Sequence, residues 1–403
     1  MNTLYLLFHK LTRGGHSMIK KKFFPFLLSV TLSVVLMIMF TLNASAVGMP
    51  IEIASESAIL MDADSGKILA VQNENKKLYP ASVTKIMSIL LVAEAIDSGQ
   101  ISFDTEVVAS AEACEKGGSQ IWLEPGEIMT VDELLRAAVI GSANDATTAL
   151  AELVAGSEGA FVTMMNDRAI ELGMNNTYFE NCSGLDDTAE NHLTTAKDIA
   201  LMSRELLKHK WITEYTTVWM DTLRNGETEL TNTNKLIRFY EGATGLKTGT
   251  TSKAGSCLSA SANRNNTHLI AVVMGAPTSN DRFSDAKALL NWGFANYVNA
   301  TLKVDSSLVV PVNVKRATTT SIMPVIPEGV TALVPMSGKD KIDQKVTLAV
   351  DVQAPVHKDQ VLGKVEFFVN NELVGTVNLV SPEEIPKMGF FSALRMFLGS
   401  FTR

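Results

Sequence analysis

Cysteine, histidine and clustered positive charge are all scarce in this chain, and each shortage removes a class of function. Three cysteines among 403 residues, Cys114, Cys182 and Cys257, cannot all pair, and none stands in a C-x-x-C or zinc-like spacing. Neither a disulfide framework nor a cysteine metal site is expected. The six histidines are scattered without an H-E-x-x-H pair, so no metal and no cofactor is expected. A formal net charge of −8, with no dense Lys/Arg run in the body of the chain, argues against a nucleic-acid partner.

The length suits two domains once terminal signals are set aside. Lys20-Lys21-Lys22 precede an uncharged run from Phe23 to Leu42, and Ala44-Ser45-Ala46 supplies a small-residue cleavage signal. This predicts a signal peptide over residues 1–46, with Met18 as an alternative start and a mature chain from about Val47. The competing reading is an uncleaved membrane anchor, since the run is long enough to cross a bilayer. Both place the body of the protein outside the cytoplasm.

Within that body, Ala58–Met61 and Ile68–Val71 flank the turn residues Asp62–Gly66 and predict a hairpin. Tyr79-Pro80-Ala81-Ser82-Val83-Thr84-Lys85 follows, with Pro80 suited to a first helical turn and Ile86, Met87, Ile89, Leu90, Leu91 and Val92 continuing as a buried helix. Ser82 and Lys85 are three residues apart and share one face of that helix, which sets an amine beside a hydroxyl. Residues 110–129 read as loop and short elements. An apolar helix opening at Val131–Leu135 then runs into the abrupt polar turn Gly141-Ser142-Ala143-Asn144-Asp145.

The middle of the chain reads as mostly helical, with Phe161, Met164, Met165, Ile170 and Leu172 as core candidates and Thr195 as a cap for a helix ending near Leu207. Gly245-Leu246-Lys247-Thr248-Gly249-Thr250 lies just before a strand at Ser256–Ala262, which pairs with another at His268–Gly275. A helix over Asp285–Tyr297 closes the domain.

Beyond about Leu302 the texture changes to short alternating strands: Leu308–Val310, Val346–Val352, and Val365–Val369 paired with Leu373–Leu379 across Asn370-Asn371. A small all-β domain over residues 303–384 is expected. In the last segment, 385–403, Phe390, Leu394, Phe397, Leu398 and Phe401 fall on one side of a helix and Arg395 and Arg403 on the other. That suits a helix lying in a membrane interface; the alternative is one docked on its own domain.

A lone S-x-x-K is weak. Here it is followed in order by Ser142-Ala143-Asn144 and Lys247-Thr248-Gly249, which together make the S-x-x-K, S-x-N, K-T-G set of penicillin-binding proteins and β-lactamases. From about Ala54 to Tyr297 the chain resembles the low-molecular-mass penicillin-binding proteins, the serine-type D-alanyl-D-alanine carboxypeptidases. That resemblance implies an α/β (α+β) fold over residues 47–302, with an antiparallel sheet flanked by helices, a helical lobe, and the active site between them. It also implies the β-rich C-terminal domain and the amphipathic membrane anchor already read at 385–403.

By the same resemblance, Ser82 attacks the carbonyl between two terminal D-alanines of a peptidoglycan stem peptide, Lys85 in neutral form is its base, and β-lactams acylate Ser82 as covalent inhibitors. Ser142 relays a proton to the leaving amine, and Asn144 holds Lys85 and the substrate amide. Lys247, Thr248, Gly249 and Thr250 receive the substrate carboxylate with help from Arg282, and the backbone N–H groups of Ser82 and Thr250 form the oxyanion hole. Two other readings predict different things. A serine β-lactamase needs a carboxylate such as Glu171 to poise a deacylating water, and a catalytically silent wall-binding protein predicts a decayed motif. Glu171 reads instead as a solvated helix-end residue.

Overall fold

The computed structural model describes residues 48–187, 189–326, 330–339, 341–392 and 394. The expected signal segment 1–46 and residues 395–403 of the expected amphipathic segment lie outside them. No described helix is long and apolar enough to cross a membrane.

Alternation along β1 (Ser57–Asp62) sends Ala58 and Leu60 into one apolar core and Ile59 and Met61 into another, so the strand is buried on both faces. It forms the expected hairpin with β2 (Ile68–Gln72). Small hairpins follow at β3 (Glu106–Val108) with β4 (Ile128–Thr130) and β5 (Met220–Leu223) with β6 (Thr228–Thr231). Then come β7 (Ala243–Thr251), β8 (Gly255–Arg264) and β9 (Thr267–Ala276). The main sheet is antiparallel throughout, in the order β2-β1-β9-β8-β7, which leaves β7 at an edge. In β9, as in β1, Leu269, Ala271 and Val273 face one core while Ile270, Val272 and Met274 face the other.

The larger core is the helical lobe. Its centre is α1 (Lys85–Asp97), apolar nearly all round and therefore enclosed, with Ile86, Met87 and Leu90 fully buried. Around it lie α2 (Val131–Arg136), α3 (Asn144–Ala155), α4 (Glu158–Glu171) and α5 (Ala196–Leu206), the last capped by Thr195 as expected. The other sheet face is covered by α6 (Ser279–Asn296), through Phe283, Ala286, Leu289 and Leu290. This helix starts earlier than expected, because Thr278 and Asp281 form a capping box.

Several expectations are corrected. On α4, Phe161 and Met165 are buried, but Met164 and Ile170 are exposed, since only one narrow stripe of that helix meets the lobe. Leu308 ends a 3-10 turn, Ser306–Leu308, rather than opening a strand. The run from Val346 is broken at Ala349–Val350 into two strands, Asp343–Leu348 and Asp351–Gln353, which belong to different sheets.

The C-terminal region is all β: β10 (Tyr297–Thr301), β11 (Val312–Lys315), β12 (Ser321–Ile322), β13 (Thr331–Pro335), β14 (Asp343–Leu348), β15 (Asp351–Gln353), β16 (Val361–Val369) and β17 (Glu372–Val380). The β16–β17 hairpin turns through Asn370 and Asn371, both at positive φ (52° and 67°), as a tight right-twisted hairpin requires. Val365, Phe367, Val377 and Leu379 supply one of its two small cores.

Candidate active site

Ser82 does not sit inside the α-helix, as the S-x-x-K spacing predicts, but in a 3-10 turn over Ala81–Thr84 that leads into α1. The tighter turn still stacks residues i and i+3, and Lys85 Nζ lies 3.1 Å from Ser82 Oγ. Ala81, just before Ser82, is held at φ 48°, a left-handed conformation that a non-glycine residue keeps only when its surroundings impose it. Gly184 is one such constraint: a Cβ there would come within 1.9 Å of the Ala81 carbonyl oxygen.

Lys85 is fully buried. Beyond Ser82, its Nζ reaches Asn144 Oδ1 at 2.5 Å and the Ser183 carbonyl at 2.9 Å. Burial brings the amine down from its ordinary 10.5 to about 7, opposed in part by the charge of Asp145. Asn144 is the first residue of α3, reached through a π turn at Ala137–Gly141 and Ser142 in a left-handed conformation (φ 64°). Its amide is oriented from behind. Asn144 Nδ2 donates to the Gly117 carbonyl at 2.6 Å, which leaves Oδ1 for the lysine. The neighbouring Asp145 carboxylate accepts the backbone N–H groups of Ile121 and Leu123, pinning the 117–123 loop to the same helix end.

From the opposite side comes the edge strand β7. A Cβ on Gly249 would lie 2.7 Å from the Pro80 carbonyl and 2.9 Å from the Ser82 nitrogen, so the glycine of K-T-G is what lets the sheet edge touch the Ser82 turn. Lys247 is buried, and its amine is held well below its usual range by that burial first, then by the charges of Lys85 and Arg282. Thr248 donates to Thr233 at 2.7 Å, and Thr250 is exposed at the strand end.

Arg282 is buried under β7 rather than exposed on its helix. Its Nη1 donates to the Gly249 carbonyl at 2.9 Å and to Thr250 Oγ1 at 2.7 Å. Lys85 and Arg282 are near enough to Lys247 to depress its amine, and the Arg282 guanidinium, held on Gly249 and Thr250, supplies positive charge that favours an anionic ligand at this strand.

The sequence motifs therefore converge, but they omit one wall. The loop from Phe179 to His192 brings the Ser183 carbonyl to Lys85, and its tip is tied to β7 by the Thr251 hydroxyl on Asp186 and by Lys253 on the Asp186 carbonyl. No residue pattern marks this loop, because its contribution is a main-chain carbonyl, which any residue type carries. Glu171 ends α4 paired with Arg168 at 3.0 Å, its side chain 65% exposed, and it makes no hydrogen bond to the Ser82 group. Cys182 and Cys257 are buried, and burial pushes both thiols up, which leaves them poor nucleophiles.

Residues 43–278 match a family described as Peptidase_S11, D-alanyl-D-alanine carboxypeptidase, and residues 297–387 match the penicillin-binding protein 5, C-terminal domain. The chain is 40% identical over 354 residues to the D-alanyl-D-alanine carboxypeptidase DacF of Bacillus subtilis, covering 87% of this chain and 90% of that protein. Among solved structures it resembles penicillin-binding protein 5 from Haemophilus influenzae, with a TM-score of 0.73, 30% identity, and coverage of 84% of this chain and 99% of that one. Penicillin-binding protein D2 from Listeria monocytogenes in its ampicillin-bound form matches with a TM-score of 0.56 and 31% identity, over 60% of this chain and 99% of that one.

Proposed function

Given that this chain belongs to the D-alanyl-D-alanine carboxypeptidase family, we propose that Ser82 is its acylated nucleophile and Lys85 the base that activates it. The protein is a serine DD-carboxypeptidase of the penicillin-binding type, acting on peptidoglycan stem peptides.

The observation that carries the assignment is the set of partners around Lys85. A neutral amine has two N–H donors and one lone pair. Asn144 Oδ1 and the Ser183 carbonyl can only accept, so they take both donors. The lone pair is left for Ser82, whose hydroxyl donates to it. As Ser82 Oγ bonds to the carbonyl carbon of the penultimate D-alanine, its proton passes to Lys85. The oxyanion faces the backbone N–H groups of Ser82 and Thr250. Collapse breaks the peptide bond, D-alanine leaves with a proton returned through Ser142, and water then hydrolyses the ester.

Lys247, Thr248, Gly249 and Thr250, with Arg282 beneath, receive the free carboxylate that distinguishes a chain end. A β-lactam enters the same step: its ring amide opens onto Ser82. A deacylating carboxylate is what a β-lactamase would add, and Glu171 is turned away to Arg168.

For the rest of the chain, residues 47–302 are the catalytic domain, 303–384 a β-rich domain, and 385–403 an interfacial anchor. Residues 1–46 export the protein, which places it on the outer face of the cytoplasmic membrane. The uncharged run at 23–42 and the aromatic face at 390–401 support this.

The test is D-alanine release from an N-acylated L-Lys-D-Ala-D-Ala peptide beside fluorescent-penicillin labelling, in wild type and Ser82→Ala. Both activities should vanish together in the variant; labelling that persists at another serine refutes the assignment.

A further inference from the structure

Thr84 ends the 3-10 turn that runs on into α1, with helical φ/ψ (−45°, −38°). Its Oγ1 lies 2.8 Å from Nε2 of His192, across 108 residues of chain, and both side chains are buried.

The other ring nitrogen settles the tautomer. His192 Nδ1 accepts the Glu180 N–H at 3.0 Å, so the proton is on Nε2 and His192 donates to Thr84. Burial also lowers His192 from 6.5 to about 4, against the pull of Glu180 and Asp186, so this neutral form persists across the working range. The Phe179 ring packs against its face at 5.6 Å.

We infer that His192 is a positioning residue for the acylation step: through Thr84 it latches the stem of the 179–192 loop to the nucleophile's turn, so that Ser183 keeps its carbonyl on Lys85. The loop has other attachments. Tyr178 and Leu193 pair at its base, Asn166 brackets Phe179, Ser88 and Glu158 hold Cys182, Tyr79 donates to the Glu190 carbonyl, and Asp186 and Ala189 are held at its tip by Thr251 and Lys253. None of these hydrogen bonds is made to the 3-10 turn Ala81–Thr84 itself. The His192–Thr84 contact is, one residue from Lys85. It works alongside Gly184, whose lack of a side chain lets the loop lie on Ala81.

The consequence is specific. If the latch is released, the part of the loop beyond Ser183 lifts from the Ser82 turn, water reaches Lys85, and the amine regains its proton at neutral pH. Of the other groups facing Lys85, Asp145 and Lys247 are on separate elements, and Cys182, beside Ser183 on the loop, stays held by Ser88 and Glu158. The loss should therefore be recoverable with alkali, which damage to the fold would not be.

The inference rests on Lys85 being the base, and the experiment separates the two. The rate of fluorescent-penicillin acylation is measured against pH for wild type, Thr84→Val, Thr84→Ser, His192→Ala and His192→Gln, normalised to titrated active sites. Thr84→Val keeps the shape of the side chain, so it guards against a His192 variant that does not fold.

Thr84→Val and His192→Ala should acylate roughly tenfold more slowly at neutral pH, with the ascending, acid-side limb of the profile moved up by about one unit. Thr84→Ser, which keeps the hydroxyl, and His192→Gln, which keeps a donor near Nε2, should restore much of the wild-type profile. Variants that lose thermal stability while their ascending limb stays at the wild-type position overturn the latch. A wild-type profile with no limb near pH 7 would instead remove Lys85 as the base.

Discussion

Between residues 55 and 285 the protein buries Lys85, Lys247, Arg282, Asp145, Asp186 and His192 to 7% exposure or less, whereas beyond residue 300 Ser381 is the only buried polar side chain among those described. The first region surrounds its buried polar groups with partners chosen for chemistry. Keeping Lys85 neutral near pH 7 costs about 5 kcal/mol relative to a solvated lysine, and only the apolar lobe around α1 offsets it. The β domain carries no such load. Its two small cores are aliphatic and aromatic, and nothing in them is held away from its preferred state. In one region packing holds a reactive group under strain of charge; in the other, packing is the whole product.

The largest effect should come from removing the strained group. Lys85→Met should lower penicillin acylation by ~10⁴-fold. It should also flatten one limb of the stability curve. In wild type the folded chain releases the Lys85 proton near pH 7 while the unfolded chain holds it to 10.5, so the contribution of Lys85 to stability improves as pH rises through that window and is constant below it. Urea melts at intervals across that range should show wild type gaining on Lys85→Met. Parallel curves would mean that the amine is not depressed.

In the β domain the matching cut is Phe367→Ala, at a fully buried position. It should cost ~3–5 kcal/mol of that domain's stability. Penicillin labelling below the new transition should be unchanged; labelling that falls in step with it would break the contrast between the regions.

The smallest effect should be at their junction. Lys67, in the β1–β2 turn, pairs with Glu372 at 2.9 Å, and both side chains are partly exposed (33% and 63%). Lys67→Ala should shift the denaturation midpoint by no more than ~1 kcal/mol. A larger loss would show that the domains unfold together.

How much of this was legible in the sequence follows from the reach of each signal. The hairpin of Ala58–Met61 with Ile68–Val71, the pairing of Ser256–Ala262 with His268–Gly275 and the Asn370-Asn371 hairpin are local, and the structure contains all three. Ser82 and Lys85 were read as neighbours from spacing alone, and they are, though in a 3-10 turn rather than an α-helical one. Asn144 and Lys247 came from their motifs rather than from periodicity.

Ser183, His192 and the left-handed Ala81 could not be read in this way, since each is defined by a contact with distant chain. Met164 and Ile170 were misplaced because helical period gives an apolar stripe its direction but not its width. For Arg282 the resemblance implies a place beside the K-T-G strand, but its burial beneath β7 is a tertiary fact.

The fit of Gly184 against Ala81 has a bearing on how such a protein can change over generations. With 1.9 Å between a would-be Cβ and a carbonyl oxygen, no single codon change at 184 leaves the turn intact. The loop and the Ser82 turn must then be inherited as one character. Novelty in this region has to enter elsewhere on the loop, at positions such as Glu190 and Asn191, which are exposed and free to drift.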